Sequence, residues 1–435
     1  MSAVILARLQ FALTICFHFL FPAMTLGTTL IILISETLYL VKKDETYKKI
    51  TDFLVRLLAL IFVVGAATGI VMEFSFGTNW SGYSRAVGDI FGPILAAEGV
   101  LAFFLESVFL GVLLFARNRV SPKVYWLSAL LVFIGGHLSA FWIVVANSWM
   151  QTPAGYTINE AGKIILGNFG DAVFNPSTVV RYVHTVIASW ITSSVMVAGI
   201  AGYYVRKGLH GQTARTMLKI GIILFALTPL LQLGAGHAHA VNVIDLQPEK
   251  AAAMEGHFET AQGAKIYALG YVDEKNRKTY GIYIPKGLSF LYNFDWNSEI
   301  KGLNDFPKED WPPVNFVFQV YHIMVGAGVV MIGLGLLGAY LLWKGRLYDN
   351  KWYLFMLPLL IPLPHIAHET GWIAAEVGRQ PWIIYRLMKT SDAASVVVSA
   401  GEITFSLIMF SLIYLLLGVM FIKLAITVVR NGPAA

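Results

Sequence analysis

Three side chains of the kinds that bind haem iron, His18, His184 and Met324, lie inside long apolar segments of this sequence. Haem iron takes His, Met, Cys or Tyr as axial ligands, and a His/Met pair raises its reduction potential. His184 and Met324 lie on different segments at a similar depth, so they could bind one haem from both sides. His18 could hold a second haem and leave its other face open to a gas.

Four glutamates lie within or at the ends of the same kind of segment: Glu98, Glu106, Glu369 and Glu376. An ionised residue at the centre of a spanning helix costs about 2.5–3.5 kcal/mol on insertion scales, so such residues indicate function by default. Residues eight apart share a helix face, and buried carboxylates can pass protons. Glu98 and Glu106 therefore predict a proton relay. Glu98 or Glu376 would be an unusual iron ligand, although anionic oxygen suits ferric iron.

Each of these residues also has a purely structural interpretation. A single histidine in a membrane helix more often hydrogen-bonds to a neighbouring helix, and methionine commonly fills gaps in packing. His137, His365 and His368 also lie within apolar segments, and spacing alone does not separate them from His18. The single cysteine, Cys16, excludes an internal disulfide or a Cys-x-x-Cys site, and we interpret it as a packing residue.

The composition is that of a membrane protein. Of 435 residues, 57% are hydrophobic and 13% are charged, whereas soluble domains carry about 25% charged residues. The apolar run at 11–40 is too long for the apolar core of a cleaved signal peptide. Apolar length predicts an all-α polytopic protein with nine spans, and the net charge of +6 does not indicate nucleic acid. The spans are 11–40, 51–75, 93–115, 125–149, 180–205, 217–240, 314–343, 352–377 and 397–428.

Basic residues predict the orientation of these spans. The loops after the first, third, fifth and seventh spans are rich in Lys and Arg, and the alternate short loops carry fewer. The positive-inside rule then places the N-terminus outside and the C-terminus inside. In that orientation His18, Glu98, His184, Met324 and Glu376 fall in the outer half of the membrane. We expect candidate ligands near one surface, with carboxylates leading inward.

Several stretches resemble subunit I of cytochrome bd-type quinol oxidases. They are Arg8-Leu-Gln-Phe-Ala-Leu-Thr with His18-Phe-Leu-Phe, Met72-Glu-Phe-Ser-Phe-Gly-Thr-Asn-Trp80, Glu98-Gly with Phe103-Phe-Leu-Glu106-Ser, Val145-Ala-Asn-Ser-Trp-Met-Gln151, Val183-His184-Thr and Gly371-Trp-Ile-Ala-Ala-Glu376-Val-Gly-Arg379-Gln-Pro-Trp382. The resemblance extends from Arg8 to Pro433 and is lowest in the segment 241–313. So many separate matches make chance agreement negligible.

The resemblance implies a terminal oxidase subunit in the cytoplasmic membrane of a bacterium or archaeon. Such a subunit has nine helices, a low-spin haem b, a high-spin haem b and a haem d or a third haem b. Its substrates are quinol and O2, and its partners are subunit II, often a small single-span subunit, and membrane lipid. The whole chain, 1–435, is then one transmembrane haem-binding domain. The segment 241–313 is its extracytoplasmic quinol-binding loop, of the short type, between the sixth and seventh helices.

The resemblance also implies roles for individual residues. His184 and Met324 match the axial ligands of the low-spin haem. The positions that serve the two high-spin haems are His18, Glu98 and Glu376, with the pairing of residue and haem left open. Glu106 matches a proton-pathway residue, and Arg379 could neutralise a haem propionate or Glu376. Lys250 and Glu255 match the quinol-binding positions, where an ammonium polarises a quinone oxygen and a carboxylate accepts a quinol proton.

Two departures from the family leave alternatives open. His322 stands where many relatives have Arg, so it either alters propionate pairing or competes with Met324 as a ligand. His237 and His239 replace part of a Gly-Asp-rich stretch, and either contribute to quinol deprotonation or reflect drift at a loop hinge. Quinone type, cyanide sensitivity and oligomeric state also stay open. The rival functions are a proton-coupled transporter and a haem relative that uses a donor other than quinol.

Overall fold

The computed structural model describes residues 2–160 and 162–433, and its long elements are helices. Lipid offers no hydrogen-bond partners to the backbone, so apolar segments that cross a membrane satisfy their own N–H and C=O groups as helices. The long helices are α1 (Ala3–Lys42), α2 (Glu45–Thr78), α3 (Ser81–Ala97), a π-helical segment (Glu98–Phe103), α4 (Phe104–Phe115), α5 (Pro122–Gln151), α7 (Thr178–Lys207), α8 (Gly211–Leu246), α11 (Val314–Trp343), α12 (Lys351–Leu359), α13 (Pro362–Val377) and α15 (Ala400–Asn431).

Short elements lie between these helices. They are β1 (Tyr156–Ile158), β2 (Ile164–Leu166), α6 (Phe169–Val173), α9 (Pro248–Glu255), β3 (Ala261–Gln262), β4 (Ile266–Asp273), β5 (Lys278–Ile284), α10 (Gly287–Asn293), β6 (Glu299–Ile300), β7 (Trp382–Ile384), β8 (Met388–Lys389) and α14 (Thr390–Ala393). The strands form four antiparallel pairs, β1–β2, β3–β6, β4–β5 and β7–β8. The β4–β5 hairpin covers a small apolar core that α9 and the start of α11 complete.

The described chain contains eight helical segments that are long and apolar enough to cross a membrane, with α3 to α4 taken as one segment. The predicted span 352–377 forms a ninth, but it is divided into α12 and α13. Pro358 and Pro362 flank the break, and proline removes a helix hydrogen bond and clashes with the preceding turn. The prediction of an all-α polytopic membrane protein is confirmed, with its eighth span broken at Leu360–Ile361.

Several helices are longer than their apolar runs, with the largest differences at α3 and α8. The third span was predicted at 93–115, but its helix begins at Ser81. The sixth was predicted at 217–240, but α8 extends from Gly211 to Leu246. These flanks are only weakly apolar, so they continue the helices without adding to the apolar runs. His237 and His239 therefore lie within α8 rather than at a loop hinge.

Small residues allow the central helices to pack closely. A Cβ atom at Gly27 of α1 would lie 2.6 Å from Cβ of Ser193 and 2.7 Å from the backbone oxygen of Ser189, both on α7. Such contacts are typical of helix pairs in membranes, where small side chains let backbones approach. α15, by contrast, lies at the edge of the bundle against α1 and α2, with mostly exposed apolar side chains.

Arg117 joins three helices at the end of the bundle opposite to α9. Its Nη1 donates to Oε1 of the buried Glu36 on α1 at 2.8 Å, and its Nε lies 2.9 Å from Oδ1 of Asp52 on α2. The guanidinium also stacks on the ring of Tyr125 in α5. Removing one partner of a buried pair typically costs about 3–5 kcal/mol, since the other charge stays buried. This cluster therefore holds the ends of α1, α2 and α5 in register.

Candidate functional site

Glu98 begins the π-helical segment, and Glu106 follows it by one turn of α4. The sequence spacing predicts that Glu98 and Glu106 share one face, but in a regular α-helix residues eight apart differ by roughly 80° in direction. A π-helix turns less per residue, and such segments occur frequently at functional sites. The segment 98–103 therefore brings Glu106 back towards the direction of Glu98, which a continuous α-helix would not do.

Both carboxylates face α5. Glu106 is buried against Gly135 and Gly136, where a Cβ atom at Gly136 would lie 3.2 Å from Oε1 of Glu106. Glu98 accepts a 2.6 Å hydrogen bond from Oγ of Ser139, one turn further along α5. In the part of the chain that the structure describes, Oε1 of Glu106 has no hydrogen-bond partner. A buried carboxyl oxygen without a partner is costly unless the group is protonated or hydrated.

Glu376 lies at the end of α13 and also faces α5. Its Oε1 accepts from Nδ2 of Asn147 at 3.1 Å and from Nε2 of Gln151 at 3.0 Å. Its Oε2 accepts from Arg379 at 2.5 Å. Asn147 lies eight residues beyond Ser139, roughly 12 Å along the axis of α5. The carboxylates of Glu106, Glu98 and Glu376 thus contact α5 in that order, from its middle to its C-terminal end.

Lys250 extends this arrangement into α9. The side chain is buried, and Nζ donates to Oε1 of Gln151 at 2.9 Å and to Oε1 of Gln247 at 3.1 Å. Burial, together with the nearby Arg181 cation, lowers the pKa of Lys250 well below its usual value. Lys250 is therefore not a solvated loop charge.

Three buried basic side chains surround the carboxylate of Glu376. Arg181, Arg379 and Lys250 are all almost completely buried, and Arg181 donates to Oδ1 of Asn147. Within residues 2–160 and 162–433, Nε of Arg181 and Nη1 of Arg379 have no hydrogen-bond partner. Unpaired buried charge is costly, so this region is suited to additional anionic groups such as haem propionates.

Each candidate axial ligand faces a glycine on another helix. A Cβ atom at Gly69 would lie 3.1 Å from Cε1 of His18. One at Gly236 would lie 3.7 Å from Cε1 of His184, and one at Gly371 would lie 2.7 Å from Sδ of Met324. The three ligand–glycine pairs are His18–Gly69, His184–Gly236 and Met324–Gly371. A side chain at Gly69 or Gly371 would crowd the neighbouring donor residue, whereas a Cβ atom at Gly236 would make only an ordinary van der Waals contact with His184.

The two histidines also have polar neighbours. Nδ1 of His18 lies 3.0 Å from Oγ1 of Thr68, a contact that fixes the ring orientation. Nε2 of Gln232 lies 3.1 and 3.2 Å from the two ring nitrogens of His184. The described chain contains no group of three or more His, Cys, Asp or Glu that could hold a bare metal ion. Single donors are what haem iron requires, because the macrocycle supplies the equatorial nitrogens and the protein adds axial ligands.

Most of the other histidines have structural contacts. Nδ1 of His137 lies 2.8 Å from the Phe133 oxygen, and its Nε2 accepts from Nε1 of Trp190 at 3.0 Å. Nε2 of His368 lies 3.1 Å from Oγ1 of Thr192. Contacts at both ring nitrogens separate His137 from His18, whereas His368, like His18, has one bond to a threonine hydroxyl. His365 has an Nδ1 without a partner among the described residues.

His322 uses both ring nitrogens in contacts with the backbone. They lie 2.8 Å from the carbonyl oxygens of Phe318 and Tyr267, so neither nitrogen is free to compete with Met324 for iron. His239 packs edge-on against His184, with ring centroids 5.1 Å apart, whereas His237 packs against Phe294. Of the two histidines in this stretch, His239 is the one that adjoins a candidate ligand.

Glu255 ends α9 and packs beside α11. The side chain is buried, the Tyr321 hydroxyl hydrogen-bonds to its carboxyl group, and Oε2 has no partner among the described atoms. Burial raises the pKa of Glu255 to about 7, and the bond from Tyr321 offsets part of that rise. A carboxyl group with such a pKa can take up and release protons near neutral pH.

Three residues of the site had no role assigned to them from the sequence: Arg181, Asn147 and Gln151. Asn147 and Gln151 lie within the motif Val145–Gln151, and Arg181 stands one turn before His184. Their polar side chains at the ends of apolar helices were the available signal. Only the packing of α5 against α13 and α9 reveals what they contact.

A helical membrane bundle with single His and Met donors, and with buried basic side chains around Glu376, fits the class of haem-binding membrane proteins. The chain belongs to the cytochrome bd terminal oxidase subunit I family, whose model matches residues 6–433.

Individual relatives agree with this membership. Cytochrome bd ubiquinol oxidase subunit 1 of Bacillus subtilis (strain 168) is 39% identical over 444 residues, which cover 99% of this chain and 94% of that protein. Cytochrome bd-II ubiquinol oxidase subunit 1 of Escherichia coli (strain K12) is 32% identical over 498 residues, covering 99% and 97%. The structure of the bd oxidase from Geobacillus thermodenitrificans superposes with a TM-score of 0.93 at 28% identity, covering 99% of both chains.

Proposed function

We infer that this chain is the haem-bearing catalytic subunit of a terminal oxidase that oxidises quinol and reduces O2 to water. Family membership over residues 6–433 supports the activity. One structural observation supports the location of this activity in the chain. Lys250, at the quinol position, is buried and is linked by hydrogen bonds through Gln151 to Glu376, at a haem position. Electron donor and acceptor sites would then lie within one hydrogen-bonded cluster.

The haem donors fall into two groups. We assign His184 and Met324, which adjoin Gly236 and Gly371, to the low-spin haem b. The high-spin haem b and a haem d, or a third haem b, use the set His18, Glu98 and Glu376. When bound, the haems supply the electron transfer and the reduction of oxygen.

The side chains of α9 act on the quinol. The carboxylate of Glu255 accepts a quinol proton through Oε2, which has no hydrogen-bond partner among the described residues. Nζ of Lys250 uses two of its hydrogen-bonding positions on Gln151 and Gln247 and directs the remaining one to a quinone oxygen. Arg379 holds Glu376 and offers Nη1 to a propionate.

Protons for oxygen reduction follow the carboxylates along α5. Glu106, deep in the bundle, holds a proton and passes it to Glu98, which Ser139 orients. With the N-terminus outside, quinol protons are released at the outer face and the consumed protons come from the cytoplasm. Proton motive force then arises without pumping. The cationic loops at the opposite end of the bundle support this orientation.

The protein is a bacterial membrane protein that works with a second subunit. Its apolar helices and bacterial relatives support that location. We propose the cytoplasmic membrane as the particular membrane, subunit II as the main partner and a small single-span subunit as a further one. The exposed apolar side chains of α2 to α4, which include Phe74 and Phe104, are available to lipid or to these partners.

The decisive experiment combines a spectrum with an oxygen electrode. We expect the purified complex to show a reduced-minus-oxidised spectrum with a low-spin b band, haem b in pyridine haemochrome analysis, and oxygen uptake driven by quinol. A far-red band identifies haem d, whereas b bands alone identify a b-only variant. A complex without haem would indicate the transporter instead. Haem without quinol-driven uptake would indicate a relative that uses another donor.

The pH dependence of quinol oxidation is expected to follow Glu255. The carboxylate form accepts the proton, and the pKa of about 7 means that this form is lost as the pH falls below 7. The kcat/KM for quinol should then fall about tenfold for each further pH unit, in proportion to the carboxylate fraction. Initial rates from about two pH units below the pKa to about two units above it measure this dependence. A Glu255→Gln variant with an unchanged pH profile would contradict the assignment.

A further inference from the structure

Gln151 is the last residue of α5 and contacts two functional positions at once. Its Oε1 accepts from Nζ of Lys250 at 2.9 Å, and its Nε2 donates to Oε1 of Glu376 at 3.0 Å. A rotated amide would point its N–H group at the amino group and its oxygen at the carboxylate, so both contacts would become repulsive. The orientation of the amide is therefore fixed by its two neighbours.

The surroundings of Gln151 favour electrostatic communication through it. Gln151 and Lys250 are each 1% exposed, and hydrogen bonds are stronger in such a low-dielectric interior. Linked hydrogen bonds also polarise one another. A change in electron density at the Glu376 carboxylate therefore changes the strength of the bond from Lys250 to Gln151.

The other contacts of these groups do not provide the same connection. Gln247 also accepts from Lys250, but none of its described hydrogen bonds goes to Glu376. Asn147 also donates to Glu376, but its oxygen accepts from Arg181. Among the described residues, Gln151 alone has a side chain that hydrogen-bonds to both Lys250 and Glu376.

We propose that Gln151 is a positioning residue that couples the quinol site at Lys250 to the haem site at Glu376. A ligand at the first site then changes the redox equilibrium of the haem held at the second. By linkage, the redox state of that haem changes the affinity of the quinol site by the same factor. This inference rests on the proposed function, because it uses the assignments of Lys250 and Glu376.

The test uses the purified complex with all its subunits and a quinol analogue, heptyl-hydroxyquinoline N-oxide, as the probe. At a fixed ambient potential, the oxidised-to-reduced ratio of the high-spin haems is read from the spectrum with and without saturating probe. In the wild type we expect the ratio to change by about fivefold, the lower end of typical coupling between sites. The response should be lost in Gln151→Met, which keeps the side-chain length without hydrogen bonds.

Two further variants make the result specific. Gln151→Leu also removes both hydrogen bonds, with a shorter side chain, so it should also lose the response, and it carries the test if Gln151→Met does not assemble. Gln247→Met removes the other acceptor of Lys250 and should keep the response. The low-spin haem serves as an internal reference. We expect the probe to change its oxidised-to-reduced ratio by the same factor in every variant.

The outcomes separate this inference from the function on which it rests. A wild-type complex that binds haem and probe but shows no change in the ratio overturns the coupling. The same change in wild type, Gln151→Met and Gln151→Leu overturns the role of Gln151. A wild-type complex that fails to bind haem, or fails to bind the probe, overturns the proposed function itself.

Discussion

Replacement of Met324 by leucine is expected to abolish the low-spin b band and to leave the high-spin haem bands in place. Leucine has a similar volume, so the contact with Gly371 is kept without a large packing change. It has no sulfur, so the proposed haem keeps only His184 as an axial ligand and becomes high-spin. Because a His/Met pair raises the haem potential, quinol-driven oxygen uptake should also fall by more than about tenfold, or about 1.4 kcal/mol in activation free energy.

Met331 provides a matched control for this substitution. It lies two turns further along α11, is buried in the main apolar core, and packs away from the site. Met331→Leu should keep both the low-spin band and the oxygen uptake of the wild type. A low-spin band of normal intensity in Met324→Leu would remove Met324 from the haem site.

Much of the fold could be predicted because the membrane imposes length and polarity on each span. Apolar runs located all nine spans, and the prolines at 358 and 362 mark the place where the eighth is broken. The ends of the helices were less predictable. Weakly apolar flanks, such as 81–92 and 241–246, are helical because of their neighbours rather than their own hydropathy.

Ligand-type residues were visible in the sequence because His, Met and Glu stand out within apolar runs. The residues that these side chains contact could not be predicted from the sequence. The contact of Met324 with Gly371 joins two helices, and the bonds of Gln151 join three, so no local pattern contains them. The π-helical segment after Glu98 was also not predicted, because its extra residue is accommodated by packing against α5.

The cluster of buried basic side chains illustrates the same limit. In the sequence, Arg181 and Lys250 belong to different loops, and each could be a solvated charge. The fold brings them together with Arg379 around one carboxylate, Glu376. Tertiary structure therefore turns ordinary loop charges into a site for anionic groups.

Replacement of Glu255 by alanine is expected to stop quinol oxidation while leaving all haem bands in place. A positioned general base typically contributes about 100-fold or more to the rate, so kcat with quinol should fall by at least that factor. Glu255 is not among the proposed iron ligands, which explains why the spectrum should be unchanged. The measurements are quinol-driven oxygen uptake and the reduced-minus-oxidised spectrum of the same preparation.

Two control variants separate proton acceptance from structural support. Glu255→Gln keeps the size of the side chain and can still accept a hydrogen bond from the Tyr321 hydroxyl, but it cannot accept a proton, so it should be as slow as the alanine variant. Glu259→Ala removes an exposed carboxylate nearby on the same segment and should keep wild-type turnover. Normal turnover in Glu255→Gln would mean that Glu255 supports the loop without accepting the quinol proton, and the base would then have to be sought elsewhere around α9.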